Sequence, residues 1–509
     1  MAQAEADTDR ASGPSGAGGA RLPTRWLILG VICLAQLTVV LDNTVLSVAI
    51  PSLTRDLVAS SSDIQWMINA YSLVQSGLLL AAGNAADRYG RKRMLLAGLA
   101  LFGLGSVAAS FAPGPAELIA ARAGMGVGGA LLLTTTLAVA VQIFDADERP
   151  RAIGIWAAVN ALGFAGGPLI GGLMLDRFWW GAIFLINVPV VLLGLVAVTA
   201  LVPESRSRQG ERPDLLGALL STVGMTAVVY AIISGPEEGW SSGPVLLPAG
   251  IGLATLAAFA LWELHIPHPM LDMAFFRNQR FVGAVAGAIL ITFGMGGALF
   301  LLTQHLQFIL GYGPLEAGLR TAPLALTVVA LNFSGISARL MRSCGLPLAI
   351  ALGMSLLAGG LAVVAVFGAG GYGPLCAGLV VMGAGCALAN PAMAETIMSS
   401  IPPQKAGVGA GVNGTLAEFG TGLGVAVLGA VLNSRFAALL PAALAGAGSL
   451  PAALSAARTE GERATVTDAF ASGVETGQLA GAAAVFTGGC VAALLLRRAE
   501  RGDRQSPAG

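Results

Sequence analysis

Read along its length, the chain alternates long apolar runs with short polar breaks. A membrane-crossing helix needs about 20 mostly apolar residues. Fourteen runs meet that length, near residues 26–50, 64–86, 94–112, 117–141, 152–175, 182–202, 214–233, 245–263, 281–303, 319–340, 346–368, 374–398, 407–432 and 476–496. Most connections between them are short. The exception, 434–475, carries Pro441, Pro451, Arg458, Glu460, Glu462, Arg463 and Asp468, and reads as an exposed loop with a short surface helix. Residues 1–25 are polar and rich in Gly, Ser and Ala, and read as a disordered tail. The pattern predicts an all-α polytopic membrane protein.

Arginine and lysine orient these runs. With the N-terminus in the cytoplasm, 21 of the 28 basic residues fall on cytoplasmic connections or tails, 5 fall outside, and Arg122 and Arg320 lie within spans. That asymmetry is the positive-inside signal of a cytoplasmic membrane protein. It also requires an even number of spans, because the Arg-rich stretch 497–504 must return to the cytoplasm.

Composition narrows the function. The chain is 55% hydrophobic and 11% charged, with 28 acidic and 28 basic residues, so it has no basic face for nucleic acid. The five cysteines (33, 344, 376, 386, 490) have no paired spacing and read as free thiols. Neither of the two lysines follows a glycine, so there is no phosphate loop and no direct use of ATP. A GxGxxG string at Gly409–Gly414 sits in an apolar span and is rejected as a nucleotide site. His265 and His268 lie in a Pro-containing loop and do not make a metal site. No nucleophile motif is present, so the expectation is a transporter without metal or cofactor.

Three segments carry internal pattern. After the second span comes GNAADRYGRKR, with Gly83, Asp87, Arg88, Gly90 and Arg91. Gly90 permits a tight turn, and Asp87 can pair with Arg91 or meet a helix N-terminus. Such a cluster can lock the ends of two bundles and release them. The fourth span holds Arg122, followed by Gly124, Gly126, Gly128 and Gly129. A buried Arg must face a cavity or a carboxylate. The fifth span reads GFAGGPLIGG, with Gly163, Gly166, Gly167, Pro168, Gly171 and Gly172. Small residues let helices pack backbone to backbone, and Pro168 bends the helix.

These segments resemble, in order, the signature loop, the fourth-helix motif and the antiporter fifth-helix motif of the major facilitator superfamily. Fourteen spans, LDNTVLSVAIP (41–51) and IFLINVP (183–189) resemble its 14-helix drug:proton antiporters, and LAEFGTGLGVAVLG (416–429) is most similar to pumps exporting quaternary ammonium compounds. The likeness covers roughly 26–433 and the last helix. It implies two six-helix bundles, 26–202 and 266–497, around a central cavity, with two inserted helices in 203–265 and a cytoplasmic tail at 498–509. SGISARLMRSCG (334–345) echoes the 83–93 loop, as an internal repeat would. Relatives often carry Trp-Arg-Trp where this chain has Trp180-Gly181-Ala182, an acid where it has Asn69, and Glu where it has Gly414.

Only two carboxylates sit deep within spans, Asp42 and Glu418; Glu263 and Glu395 lie near cytoplasmic ends, within reach of water. Asp42 lies about 13 Å and Arg122 roughly 8 Å from the outer boundary. Asn69 is placed similarly, so the three share a layer and Arg122 is expected to engage Asp42. Glu418 lies about 17 Å from the inner end of its span, near the midplane. Asp42, Glu418 and Arg122 are therefore the proton-coupling candidates; the alternative for each is a structural hydrogen bond or a bundle staple. Asn69, Asn160, Asn187, Gln304, His305, Asn332 and Asn413 are candidates to line the cavity, or to bond between helices. The function this implies is proton-driven efflux of a lipophilic, cationic or neutral drug by a single chain. The alternative is proton-coupled transport of another small metabolite, by uptake or export. Strong Arg-over-Lys usage with Ala and Gly richness points to a GC-rich bacterium.

Overall fold

The structure, a computed structural model, describes residues 24–145, 148–205, 213–267, 269–401, 406–444, 447 and 449–505. The expected N-terminal tail lies outside these, apart from Thr24 and Arg25, as do Arg206, Arg208, Arg212, His268 and Lys405.

The first half comprises α1 (Arg25–Asp56), α2 (Ser61–Tyr89), α3 (Arg91–Ser110), α4 (Pro115–Ile143), α5 (Arg149–Arg177), a single turn α6 (Ala182–Leu185) and α7 (Asn187–Leu201). The inserted pair is α8 (Leu215–Glu238) and α9 (Gly243–His265). The second half comprises α10 (Gln279–Gln304), α11 (Pro314–Phe333), the short α12 (Ile336–Cys344), α13 (Leu346–Phe367), α14 (Tyr372–Ser399), α15 (Ala406–Leu439), the short α16 (Leu450–Ala456) and α17 (Glu460–Gln505). Among the described residues, twelve helical stretches are long and apolar enough to cross a membrane. The other two long helices, α2 and α5, have 29 residues each and so reach about 43 Å. They are less apolar on their inward faces because those faces carry the polar residues of the interior.

Two helix pairs make the largest contacts between the halves. α2 and α15 run antiparallel with small side chains between them: a Cβ on Gly429 would lie 2.7 Å from Gln65, and one on Gly414 or Gly411 would lie 2.6 Å from Leu79 or Leu80. α5 packs on α11, where a Cβ on Gly172 would lie 2.6 Å from the backbone of Pro314 and Leu315. At the end away from the α2–α3 turn the halves are in direct contact. Gln307 Nε2 donates to the Val48 carbonyl at 2.9 Å, and the void left among Ile50, Ile64, Phe300, Gln304 and Phe308 is only about 10 Å³. That is about the room one water needs.

The expected loop over 434–475 is corrected. α15 continues to Leu439 and α17 begins at Glu460, so only 440–459 connects them, and α16 lies within that stretch. Residues 460–475 are polar by content but amphipathic by spacing. Val466, Ala469, Phe470 and Val474 recur at helical intervals and are buried, with Phe470 edge-to-face on Phe308 and Phe436. Phe470→Ala should therefore destabilise the fold by about 3–5 kcal/mol, seen as a lower thermal unfolding midpoint. Phe486→Ala, which removes a ring 51% exposed on the same helix, should leave the midpoint unchanged.

Candidate functional site

The middle of the first half holds a buried ion pair. Arg122 of α4 is brought beneath α2 because Gly126 and Gly129 let the two backbones close up; a Cβ on either would lie 2.6 Å from Tyr71. The guanidinium stacks on the Tyr71 ring at 4.4 Å, donates from Nε to the Met67 carbonyl at 3.1 Å, and donates from Nη1 to Asp42 Oδ2. Both charged side chains are 1% exposed. Asn187 of α7 donates to Asp42 Oδ1 at 3.4 Å and to Ser106 of α3 at 3.3 Å. Five helices thus converge on one carboxylate. A buried pair of this kind holds only while both charges are present and their remaining hydrogen-bonding atoms are matched.

Glu418 of α15 stands across the seam between the halves. It is half-buried, it accepts from Asn43 Nδ2 at 3.4 Å, and it lies within hydrogen-bonding reach of Ser72. Both partners belong to the first half. Asp42 and Asn43 are consecutive on α1, so one residue turns into the first half and the next toward the second. Further along the seam, Ser76 Oγ donates to the Thr415 carbonyl at 3.0 Å and Thr415 Oγ1 donates to the Ser76 carbonyl at 3.3 Å. Asn43 is among the polar residues that the spans offer to the cavity, whereas Ser72 and Tyr71 are not singled out by sequence. Their signal is the depth of Asp42 and the helical phase of α2, which place them beside the two acids.

The other candidates separate. Asn69 is fully buried on α2 but faces α15, its Oδ1 2.6 Å from where a Cβ on Gly422 would sit; it is not a partner of Arg122. Asn160 belongs to a polar chain nearer the α2–α3 end. It accepts from Gln36 at 2.8 Å, Gln36 accepts from Thr136, and Thr136 accepts from Trp156 Nε1. Gln304 bonds back to the Phe300 carbonyl and lines the small void. His305 is buried beside Gly368, at the far end from the α2–α3 turn. Asn413 is half-buried on α15. Asn332 is exposed in the last turn of α11, which ends at Phe333. Glu395 is exposed, but Glu263 is buried, which corrects the expectation that water reaches it.

The two patterned glycine segments take distinct positions. Gly163, Gly167 and Gly171 of α5 press on Val40, Leu41 and Val45 of α1, while Gly172 and the Pro168 carbonyl meet α11. The 83–93 cluster turns on Gly90, whose φ is +114°. Arg91 pairs with Asp87 at 2.8 Å and bonds Gln142, and Glu204 accepts from the Lys92 amide and pairs with Arg93. These bonds join α2, α3, α4 and the segment after α7. Gly83 lies against Thr134 of α4, and Arg88 occupies the last turn of α2.

The family model described as Major Facilitator Superfamily matches residues 32–425, more than three quarters of the chain. The chain is 34% identical over 499 residues to the "Multidrug efflux pump LfrA" of Mycolicibacterium smegmatis, covering 94% of this chain and 98% of that protein. It is 37% identical over 460 residues to the "Puromycin resistance protein pur8" of Streptomyces alboniger, covering 89% of each. Its fold is similar, with a TM-score of 0.68 and 16% identity, to the crystal structure of a bacterial homolog of the human lysosomal transporter Spinster in an inward-facing, unoccupied conformation. That likeness covers 96% of this chain and 99% of the other.

Removing one partner of the ion pair should cost more than removing both. Arg122→Ala strands the Asp42 charge and should destabilise the protein by about 3–5 kcal/mol. The double change Asp42→Asn with Arg122→Gln should recover part of that loss. Thermal unfolding of the purified variants measures both.

Proposed function

The chain belongs to the major facilitator superfamily, and we propose that it exports lipophilic drugs or antibiotics from a bacterial cell in exchange for protons. The observation that carries this reading is the placement of two interior carboxyls, one locked by Arg122 and one half-open at the seam between the halves. The names of the relatives support the cargo class, and the basic residues support a cytoplasmic-membrane protein with both termini inside. In this orientation the end at the Gln307–Val48 contact faces outward.

The chemistry follows from what each acid can reach. Glu418 is bonded from the first half by Asn43 and Ser72, so cargo that displaces those bonds also loosens the seam. A cationic cargo is drawn to the ionised carboxylate; a proton removes that charge and releases it. At Asp42 a proton cancels the negative charge of the ion pair and leaves the Arg122 cation to Met67, the Tyr71 and Phe184 rings and a neutral acceptor. Each ligand then differs in its affinity for the two arrangements of the halves, which is the condition for coupling. The proton gradient supplies the drive, and a single chain holds every group named.

Adding drug to energised everted vesicles should partly collapse the pH gradient. Glu418→Gln should abolish that response and the resistance conferred in cells, with the protein still present in the membrane. A Glu418→Gln variant that still collapses the gradient and still protects the cells would contradict the assignment.

A further inference from the structure

At the foot of the inserted pair, two buried carboxyls meet. Asp214 caps α8 and is 6% exposed; Glu263, in the last turn of α9, is 3% exposed. Asp214 Oδ1 accepts from the Gly217 amide at 2.9 Å, and Asp214 Oδ2 accepts from Trp262 Nε1 at 2.9 Å. Glu263 Oε2 accepts from the Leu271 amide at 3.1 Å. Glu263 Oε1 is the one oxygen of the four that no protein N–H or O–H reaches. It turns toward Asp214, which lies within hydrogen-bonding reach, and both crowd the space beside Gly217, where a Cβ would sit 2.8 Å from Glu263 Oε1.

An ionised carboxylate only accepts hydrogen bonds, so two of them cannot bond to each other. The Leu271 and Met270 amides both serve Glu263, yet its Oε1 is left without a hydrogen-bond partner among the described residues, and a hydrogen on the pair itself fills that place. Among the described residues, no cation acts on Glu263. Asp87 pairs with Arg91; Arg88 on α2, and Asp272 and Arg280 before and at the start of α10, have partners of their own. Asp272 is also occupied at Ala274, and His265 bonds the Leu261 carbonyl. Arg277 makes no ion pair with either acid, and Asp214 is the charged neighbour that acts on Glu263.

We propose that Asp214 and Glu263 form a proton-binding clasp, sharing one hydrogen that fastens the inserted pair to the segment leading into the second half. The clasp gathers the N-cap of α8, the end of α9 and the backbone at Leu271. It rests on Ala81 of α2 through Ala218 and Met270. Loss of the hydrogen sets two negative charges side by side at the junction of three elements, so the clasp opens as the pH rises. It is independent of cargo and of the Asp42 and Glu418 assignments.

Glutamine at 263 tests this, because its amide donates to Asp214 and its carbonyl still accepts from Leu271, with no hydrogen ion required. Infrared spectra of the full chain in lipid nanodiscs at neutral pH should show a protonated-carboxyl stretch that Glu263→Gln removes. Thermal unfolding between pH 6 and 9 should show the wild-type midpoint falling as pH rises, since the folded chain holds a hydrogen ion that the unfolded chain releases. The Glu263→Gln profile should be flatter. If Glu263→Gln does not fold, Asp214→Asn carries the same comparison, its amide donating to Glu263. An unchanged carboxyl band, or wild-type and variant profiles that run parallel, would overturn the clasp.

Discussion

The interior of this protein is organised around the union of Arg122 with Asp42. Neither charge could stay in the bilayer core alone, and together they draw five helices into one cluster. The glycines of α4 make the approach possible, because a side chain at 126 would meet the α2 backbone at Tyr71 and one at 129 would meet the Tyr71 hydroxyl. Tyr71 gives the cation an aromatic face, and Asn187 satisfies the second carboxylate oxygen. The pair therefore fixes the relative positions of α1, α2 and α4, and through α1 it sets where Asn43 meets the other half.

That adjacency links the two acids mechanically. Asp42 answers to the first half and Asn43 to Glu418 in the second, with one peptide bond between them. The seam beside them sets Ser76 against Thr415 and the glycines of α15 against Leu79 and Leu80 of α2, so the two surfaces meet without interlocking large side chains from both sides. α5 and α11 close the far end with another small-residue contact. In the exchange proposed above, a charge change at either acid would be felt where the halves touch.

Much of this was legible in the amino-acid order. Span lengths gave the long helices, and equal depth in the bilayer paired Asp42 with Arg122 because each buried charge needs its opposite. The features that were not legible depend on phase and on distant neighbours. Residues 460–475 are too polar for a span by average hydropathy, yet Val466, Phe470 and Val474 fall on one helical face and are buried. Asn69 shares the depth of Asp42 but points toward α15, which depth alone does not reveal. Glu263 lies near a helix end, where water is expected, but the backbone at Leu271 folds over it. Ser72 carries no special signal until Glu418 arrives opposite it.

The most direct test of the account is proton release from the purified protein. In weakly buffered detergent solution, adding a transported drug should displace hydrogen ions from the interior acids, read as acidification by a pH dye. The wild type should release protons in proportion to drug bound, and the double variant Asp42→Asn with Glu418→Gln should bind or not bind drug without any release. Release that persists undiminished in the double variant would contradict the account.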